Sequence, residues 1–64
     1  MENNIIQLMR KIEQDFQYAT YDAVKFTDGN NSAGTRVRKY MQSIKNLAQE
    51  VRKEVQKQKN SVLA

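Results

Sequence analysis

The sequence predicts an all-α protein, an antiparallel two-helix coiled-coil hairpin with helices at about 4–27 and 32–60. Three observations predict this fold. There is no proline in the 64 residues, so nothing forces a helix to break. Apolar residues recur at alternating intervals of three and four in both halves, the heptad spacing of packed helices. Both glycines fall within a small polar segment between these patterns. We therefore expect a single domain, 1–64.

The first helix is predicted from a row of seven apolar residues. Asn4 is expected to cap its start, with Gln7 as the capping-box partner. Gly29 is expected to follow its end, because glycine adopts positive φ without strain. The row consists of Ile5, Met9, Ile12, Phe16, Ala19, Ala23 and Phe26.

The second helix is predicted from a similar row, and Asn30, Asn31 and Ser32 supply side-chain oxygens to cap its start. A connection this short makes neighbouring helices antiparallel. Folding about the turn then places Phe26 near Val37. The same register places Phe16 near Ala48 and Ala19 near Ile44. The row consists of Val37, Met41, Ile44, Ala48, Val51, Val55, Gln58 and Val62.

Two helices alone make a thin core, and a chain without cysteine has no disulfide to support it. Each helix also carries apolar residues beside its row, which is wider than a two-helix seam requires. We therefore predict a homodimer in which two hairpins form a four-helix bundle. The residues expected at this interface are Ile6, Leu8, Tyr40 and Leu47.

The composition excludes several classes of function. The chain contains neither histidine nor cysteine, so the common catalytic triads and metal sites have no residues to form them. Gly29 and Gly34, with Thr35, reproduce the glycine spacing of a phosphate-binding loop, but the lysine that such a loop carries between its second glycine and its threonine is absent. We expect no enzyme activity, no cofactor, no metal and no small-molecule substrate. No apolar run of about 18 residues predicts a membrane span, so a soluble, cytoplasmic protein is expected.

The net charge of +4 is unevenly distributed. Residues 1–28 carry three basic and five acidic side chains, whereas residues 29–64 carry eight basic and two acidic ones. One heptad column of the second helix is entirely basic and about 31 Å long, close to the ~34 Å of one turn of duplex DNA. We call it the basic stripe, and it consists of Arg38, Lys45, Arg52 and Lys59.

The basic stripe has two interpretations. Either it binds a polyanion, or it is an ordinary solvated face of the helix. In the predicted hairpin only Glu13 of the first helix lies opposite the stripe and can neutralise it, which favours a polyanion. The start of the second helix adds free N–H groups and the Thr35 hydroxyl, which suit an anion or an ordinary helix cap. The alternative function is a structural coiled-coil dimerisation module that binds an acidic protein partner.

The segment DGNNSAGTRVRKYMQSIKNLAQEVRKEVQKQKN resembles the bacterial linker-histone-like proteins, the family related to the chlamydial histone-like nucleoprotein. Its most specific part is AGTRVRK, residues 33–39. The resemblance implies a nucleoid-associated protein that binds double-stranded DNA without sequence preference. The lysine-rich tail of the chlamydial member does not follow here, so strong condensation is not expected. The residues expected to contact phosphates are Thr35, Arg36, Arg38, Lys39, Lys45, Arg52, Lys53, Lys57 and Lys59.

Overall fold

The computed structural model describes the backbone of residues 3–63 and the side chains of residues 3–61. Two α-helices, α1 (Asn4–Thr27) and α2 (Asn31–Leu63), pack against each other in an antiparallel hairpin. The hairpin measures 54 × 20 × 11 Å, and its thickness is that of one helix. The predicted all-α helical hairpin is therefore confirmed, and it is a single layer of two helices.

The start of α1 is capped by Asn3 rather than by Asn4. The Asn3 Oδ1 atom accepts a hydrogen bond from the backbone N–H of Ile5 at 2.8 Å, and the Asn3 carbonyl accepts one from Gln7 N–H at 3.1 Å. Asn3 has extended backbone angles, which is the conformation of an N-cap residue. The cap prediction was wrong by one residue because either asparagine offers a suitable side chain.

The turn between the helices has the geometry of a Schellman motif. Gly29 has φ of +103°, its N–H donates to the Phe26 carbonyl, and the Asn30 N–H donates to the Lys25 carbonyl, both at 3.0 Å. The predicted role of Gly29 is confirmed. Asn30 then caps α2, because its Oδ1 accepts from Ala33 N–H at 3.2 Å. The second helix begins one residue before its predicted start and ends three residues after its predicted end.

The apolar rows predicted for the helix seam are partly wrong. Ala19 is buried and Ile5 and Ile12 are half-buried in the seam, as predicted, but Met9 and Phe16 remain 43% and 62% exposed. On α2, Met41 is 43% exposed and Ala48 is also exposed, whereas Ala33 is fully buried. The half-buried positions that replace them are Leu8, Asp15, Tyr40 and Leu47. Both helices are thus rotated about their axes relative to the prediction.

The register is also displaced, by about one helical turn. Ser43 Oγ donates a 2.5 Å hydrogen bond to Asp15 Oδ2, so the neighbourhood of Asp15 faces Ser43 rather than Ala48. At the open end, the amides of Asn3 and Gln58 approach to 3.4 and 3.5 Å. The predicted contact between Phe16 and Ala48 is therefore wrong. The side chain of Val62, the last residue of the predicted row, lies outside the described residues.

Candidate nucleic-acid interface

The basic stripe lies on the outer surface of α2. Its four side chains are exposed, and none of them forms an ion pair within the described part of the chain. An ideal helix drifts by about 20° per heptad, so the stripe winds slowly around α2. Arg38 is nearly opposite the half-buried positions of α2, and Lys59 approaches one side of the hairpin. The result is a continuous row of cations that faces solvent.

Four other residues expected to contact phosphates also lie on the outer surface of α2. By the helical repeat they occupy the half of that surface not taken by the basic stripe. All four are exposed, and the three lysines among them broaden the cationic surface to roughly half the circumference of the helix. These residues are Thr35, Lys39, Lys53 and Lys57.

Arg36 is placed differently from the rest of the expected phosphate-binding residues. Its Nε and Nη2 atoms donate hydrogen bonds of 3.1 and 3.0 Å to Oδ1 of Asp22 on α1. Asp22 is buried, with 6% of its surface exposed. The guanidinium is therefore occupied by an acid of its own hairpin, and this ion pair ties the start of α2 to α1.

The ion pair also affects the titration of Arg36. The hydrogen bond to Asp22, more than the charge of Asp22, raises the pKa of Arg36 above its ordinary value, while desolvation opposes the shift. A raised folded-state pKa adds stability that is complete below the unfolded-state value and disappears only as pH rises through the folded-state value. Arg36 therefore remains charged through the whole neutral range.

We expect Arg36→Gln to destabilise the hairpin, because a buried carboxylate left without its charged donor is costly. The midpoint of thermal unfolding, followed by circular dichroism, should fall by roughly 5 °C or more. Arg38→Gln is the matched control, since Arg38 is exposed and has no acidic partner in the described residues. Equal midpoints for the two variants would contradict a structural role for the ion pair.

Gly34 permits close packing at the turn. A β-carbon at this position would lie 2.6 Å from Cδ1 of Phe26, so the aromatic ring of α1 rests directly on the backbone of α2. Ala33, immediately before it, is fully buried. Of the two interpretations that the sequence left open for Gly34, close packing between the helices is the one that this contact supports.

The hairpin has two unlike sides. On one side lie the exposed side chains of Met9, Phe16, Phe26 and Met41. Phe26 there lines a groove with Ala23, Gly34, Val37 and other residues, and Arg38 lies at its edge. We call this side the apolar face, defined by Met9, Phe16, Ala23, Phe26, Val37 and Met41.

Of the four residues expected at a dimer interface, three lie within the hairpin and one is exposed on its surface. Leu8, Tyr40 and Leu47 are half-buried within the hairpin, and the Tyr40 ring lies 5.8 Å from that of Tyr18. Ile6 is 44% exposed and lines a shallow depression with Met9. The residues of the apolar face, which the heptad spacing assigns to the seam, thus make a larger exposed apolar surface than these four residues do.

A hairpin whose second helix carries a long row of solvent-facing cations defines a small, basic, all-helical protein. Residues 3–61 match the family described as histone H1-like protein Hc1. The chain belongs to this family, which confirms the resemblance noted in AGTRVRK. Membership indicates a histone-like, DNA-binding type of protein rather than an enzyme family.

The other comparisons add no relative. No curated protein and no solved structure matches the chain significantly. Within the described residues, neither helix is long and apolar enough to cross a membrane, and no cluster of acidic side chains is arranged to hold a metal ion.

Proposed function

We propose that this protein is a nucleoid-associated, histone-like protein that binds double-stranded DNA without sequence preference through the basic stripe. The observation that carries the proposal is the placement of Arg38, Lys45, Arg52 and Lys59. All four are exposed on one helix, and none is neutralised by an acid in the described residues. Such a row neutralises consecutive phosphates of a backbone, and it carries no group arranged to distinguish one base pair from another.

The flanking residues Thr35, Lys39, Lys53 and Lys57 contribute to the same surface. Arg36 contributes less than its position in the sequence suggests, because Asp22 already accepts its hydrogen bonds. Membership in a histone H1-like family supports DNA as the polyanion. The nucleoid, within the cytoplasm, is the corresponding location.

The experiment is a titration of random-sequence duplex DNA at several salt concentrations, followed by fluorescence anisotropy. The parent should bind with an affinity that falls steeply with salt. Arg38→Gln/Lys45→Gln should reduce the log–log salt slope by about 0.9 for each phosphate that is no longer neutralised, and the affinity by roughly tenfold or more near physiological salt. This variant spares Arg36, so the fold is not disturbed.

The matched control is Lys11→Gln/Lys25→Gln, which removes the same charge from α1. The control should bind duplex DNA nearly as well as the parent, since neither lysine belongs to the basic stripe. Equal losses in the two double variants would show that net charge alone governs binding and would overturn the stripe. Absence of binding by the parent at low salt would overturn the proposal itself.

The active form in this proposal is a homodimer in which the apolar face of one copy packs on that of another. Among the described residues, the buried apolar ones are Ala19 and Ala33, so the hairpin contains very little core of its own. Small chains without disulfides or metals commonly obtain their core by association. A second layer of helices would cover Met9, Phe16 and Met41 and complete a four-helix bundle.

The dimensions of the hairpin support a second copy as the occupant of the apolar face. The whole side of the hairpin that carries the apolar face measures 54 by 20 Å, so about 1,000 Å² is the most that it offers, and a stable interface takes ~800 Å² from each partner. We therefore propose a two-fold dimer in which the apolar faces of the two copies meet. Ile6 lies at the rim of this interface.

A further inference from the structure

Three tyrosines form a surface on the side of the hairpin opposite to the apolar face. Tyr18 and Tyr21 on α1 are 50% and 65% exposed, and Tyr40 on α2 is half-buried. The rings of Tyr18 and Tyr40 are 5.8 Å apart with a tilt of 35°. Lys25 Nζ lies 4.5 Å from the centre of the Tyr21 ring. We call Tyr18, Tyr21, Lys25 and Tyr40 the tyrosine surface.

Core packing does not account for Tyr18 and Tyr21. An aromatic ring that keeps half or more of its surface in water contributes little hydrophobic stabilisation. The Tyr18 hydroxyl accepts one long hydrogen bond, 3.4 Å from Gln14 Nε2 on its own helix. Both rings present aromatic faces to solvent, and the proposed dimer on the opposite side of the hairpin leaves them accessible.

Cations flank these rings along both helices. Lys11 and Lys25 lie seven residues before and after Tyr18, so all three share one side of α1. Lys39 precedes Tyr40 on α2 and is exposed. Exposed aromatic rings alternating with lysines are the arrangement with which proteins bind a single strand, because the bases stack and the phosphates meet cations.

The acidic residues closest to the tyrosine rings are occupied. Asp15 accepts a hydrogen bond from Ser43, and Asp22 accepts two from Arg36. Asp28, seven residues after Tyr21, follows the end of α1 beyond the tyrosines. The carboxylates closest to the rings are therefore directed into the helix seam, and the charges beside the rings are those of Lys11 and Lys25.

We propose that the tyrosine surface binds single-stranded nucleic acid by stacking unpaired bases on Tyr18 and Tyr21, while Lys11 and Lys25 contact the neighbouring phosphates. Lys25 already covers part of the Tyr21 ring, and a base is expected to stack on the ring beside it. Duplex DNA does not suit this surface, because its bases are paired and stacked in the interior of the helix. The site is thus distinct from the basic stripe and goes beyond the proposed function.

The test uses the tyrosines as their own reporter. The chain contains three tyrosines and no tryptophan, so its ultraviolet emission comes from these three rings. Short oligothymidine and oligouridine strands should quench this emission, and the comparison of the two distinguishes single-stranded DNA from RNA as the source of the unpaired bases. Tyr21→Leu should weaken the binding of both strands by roughly tenfold and leave duplex binding unchanged.

Two further variants separate this site from the basic stripe. Tyr21→Phe keeps the aromatic face and should bind single strands as the parent does. Arg38→Gln/Lys45→Gln should lose duplex affinity and retain quenching by single strands at low salt. Parent-like binding of single strands by Tyr21→Leu, or equal loss of single-strand and duplex binding in that variant, would overturn the tyrosine surface. A failure of the basic stripe in the duplex titration would leave this result unaffected.

Discussion

Replacing Ala33 with leucine is expected to unfold the hairpin. Ala33 is fully buried at the closed end, in the first turn of α2, beside the contact between Gly34 and Phe26. Forcing a larger side chain into a filled site costs about 1–3 kcal/mol. A core of this size rarely supplies more than about 3–5 kcal/mol in total. The variant should therefore lose most of its helical circular dichroism at 37 °C.

Ala48→Leu is the matched control for this prediction. The substitution and the helix are the same, but Ala48 is exposed. Leucine is nearly as good a helix former as alanine, so the control should remain folded. If Ala33→Leu and Ala48→Leu unfolded at the same temperature, the packing at the closed end of the hairpin would be shown to be unimportant for stability.

The elements of the fold could be predicted from sequence because local chemistry determines them. A helical apolar period, a glycine that suits positive φ and an asparagine that caps a helix act over a few residues. Gly29 and Asn30 behave as predicted for this reason. The resulting hairpin topology follows from the short connection.

The rotation and the register of the helices could not be predicted, because they depend on partners that are distant in the sequence. Apolar spacing favours Phe16 inside and Asp15 outside, and the structure has the reverse. Asp15 and Asp22 can lie in the seam because Ser43 and Arg36 on α2 donate hydrogen bonds to their carboxylates. The heptad pattern places every carboxylate toward solvent, so it cannot predict a carboxylate that is paired with a donor inside the seam.

The segment AGTRVRK illustrates the same limit at the candidate site. Ala33, Gly34 and Arg36 hold the closed end of the hairpin together through burial, close packing and an ion pair. Arg38 and Lys39 face solvent. The segment therefore combines structural residues with residues available for phosphate, and spacing alone does not separate the two. The basic stripe is different, because its members share one heptad column and all lie on the outer surface of α2. Its position on the surface could therefore be predicted from the heptad spacing alone.

The second large effect concerns the apolar face. Phe16→Glu is expected to convert the proposed homodimer into a monomer, because Phe16 is the most exposed residue of that face, at 62%. A carboxylate there would be buried without a partner on association, and two-fold symmetry makes each copy contribute one. Since central aromatic residues carry much of the binding energy of an interface, we expect association to weaken by roughly a hundredfold or more.

Analytical ultracentrifugation at micromolar concentration measures this effect directly. The parent should sediment at twice the 7.5 kDa of one chain, and Phe16→Glu at the mass of one chain. Tyr21→Glu places the same charge on an equally exposed aromatic residue, 65% exposed, on the other side of α1, and it should remain dimeric. The thermal midpoint of the parent should also rise with protein concentration, as it does for any dimer that unfolds to monomers. A parent that sediments as a well-folded monomer would show that two helices suffice, and the exposed phenylalanines and methionines would then need another partner to explain them.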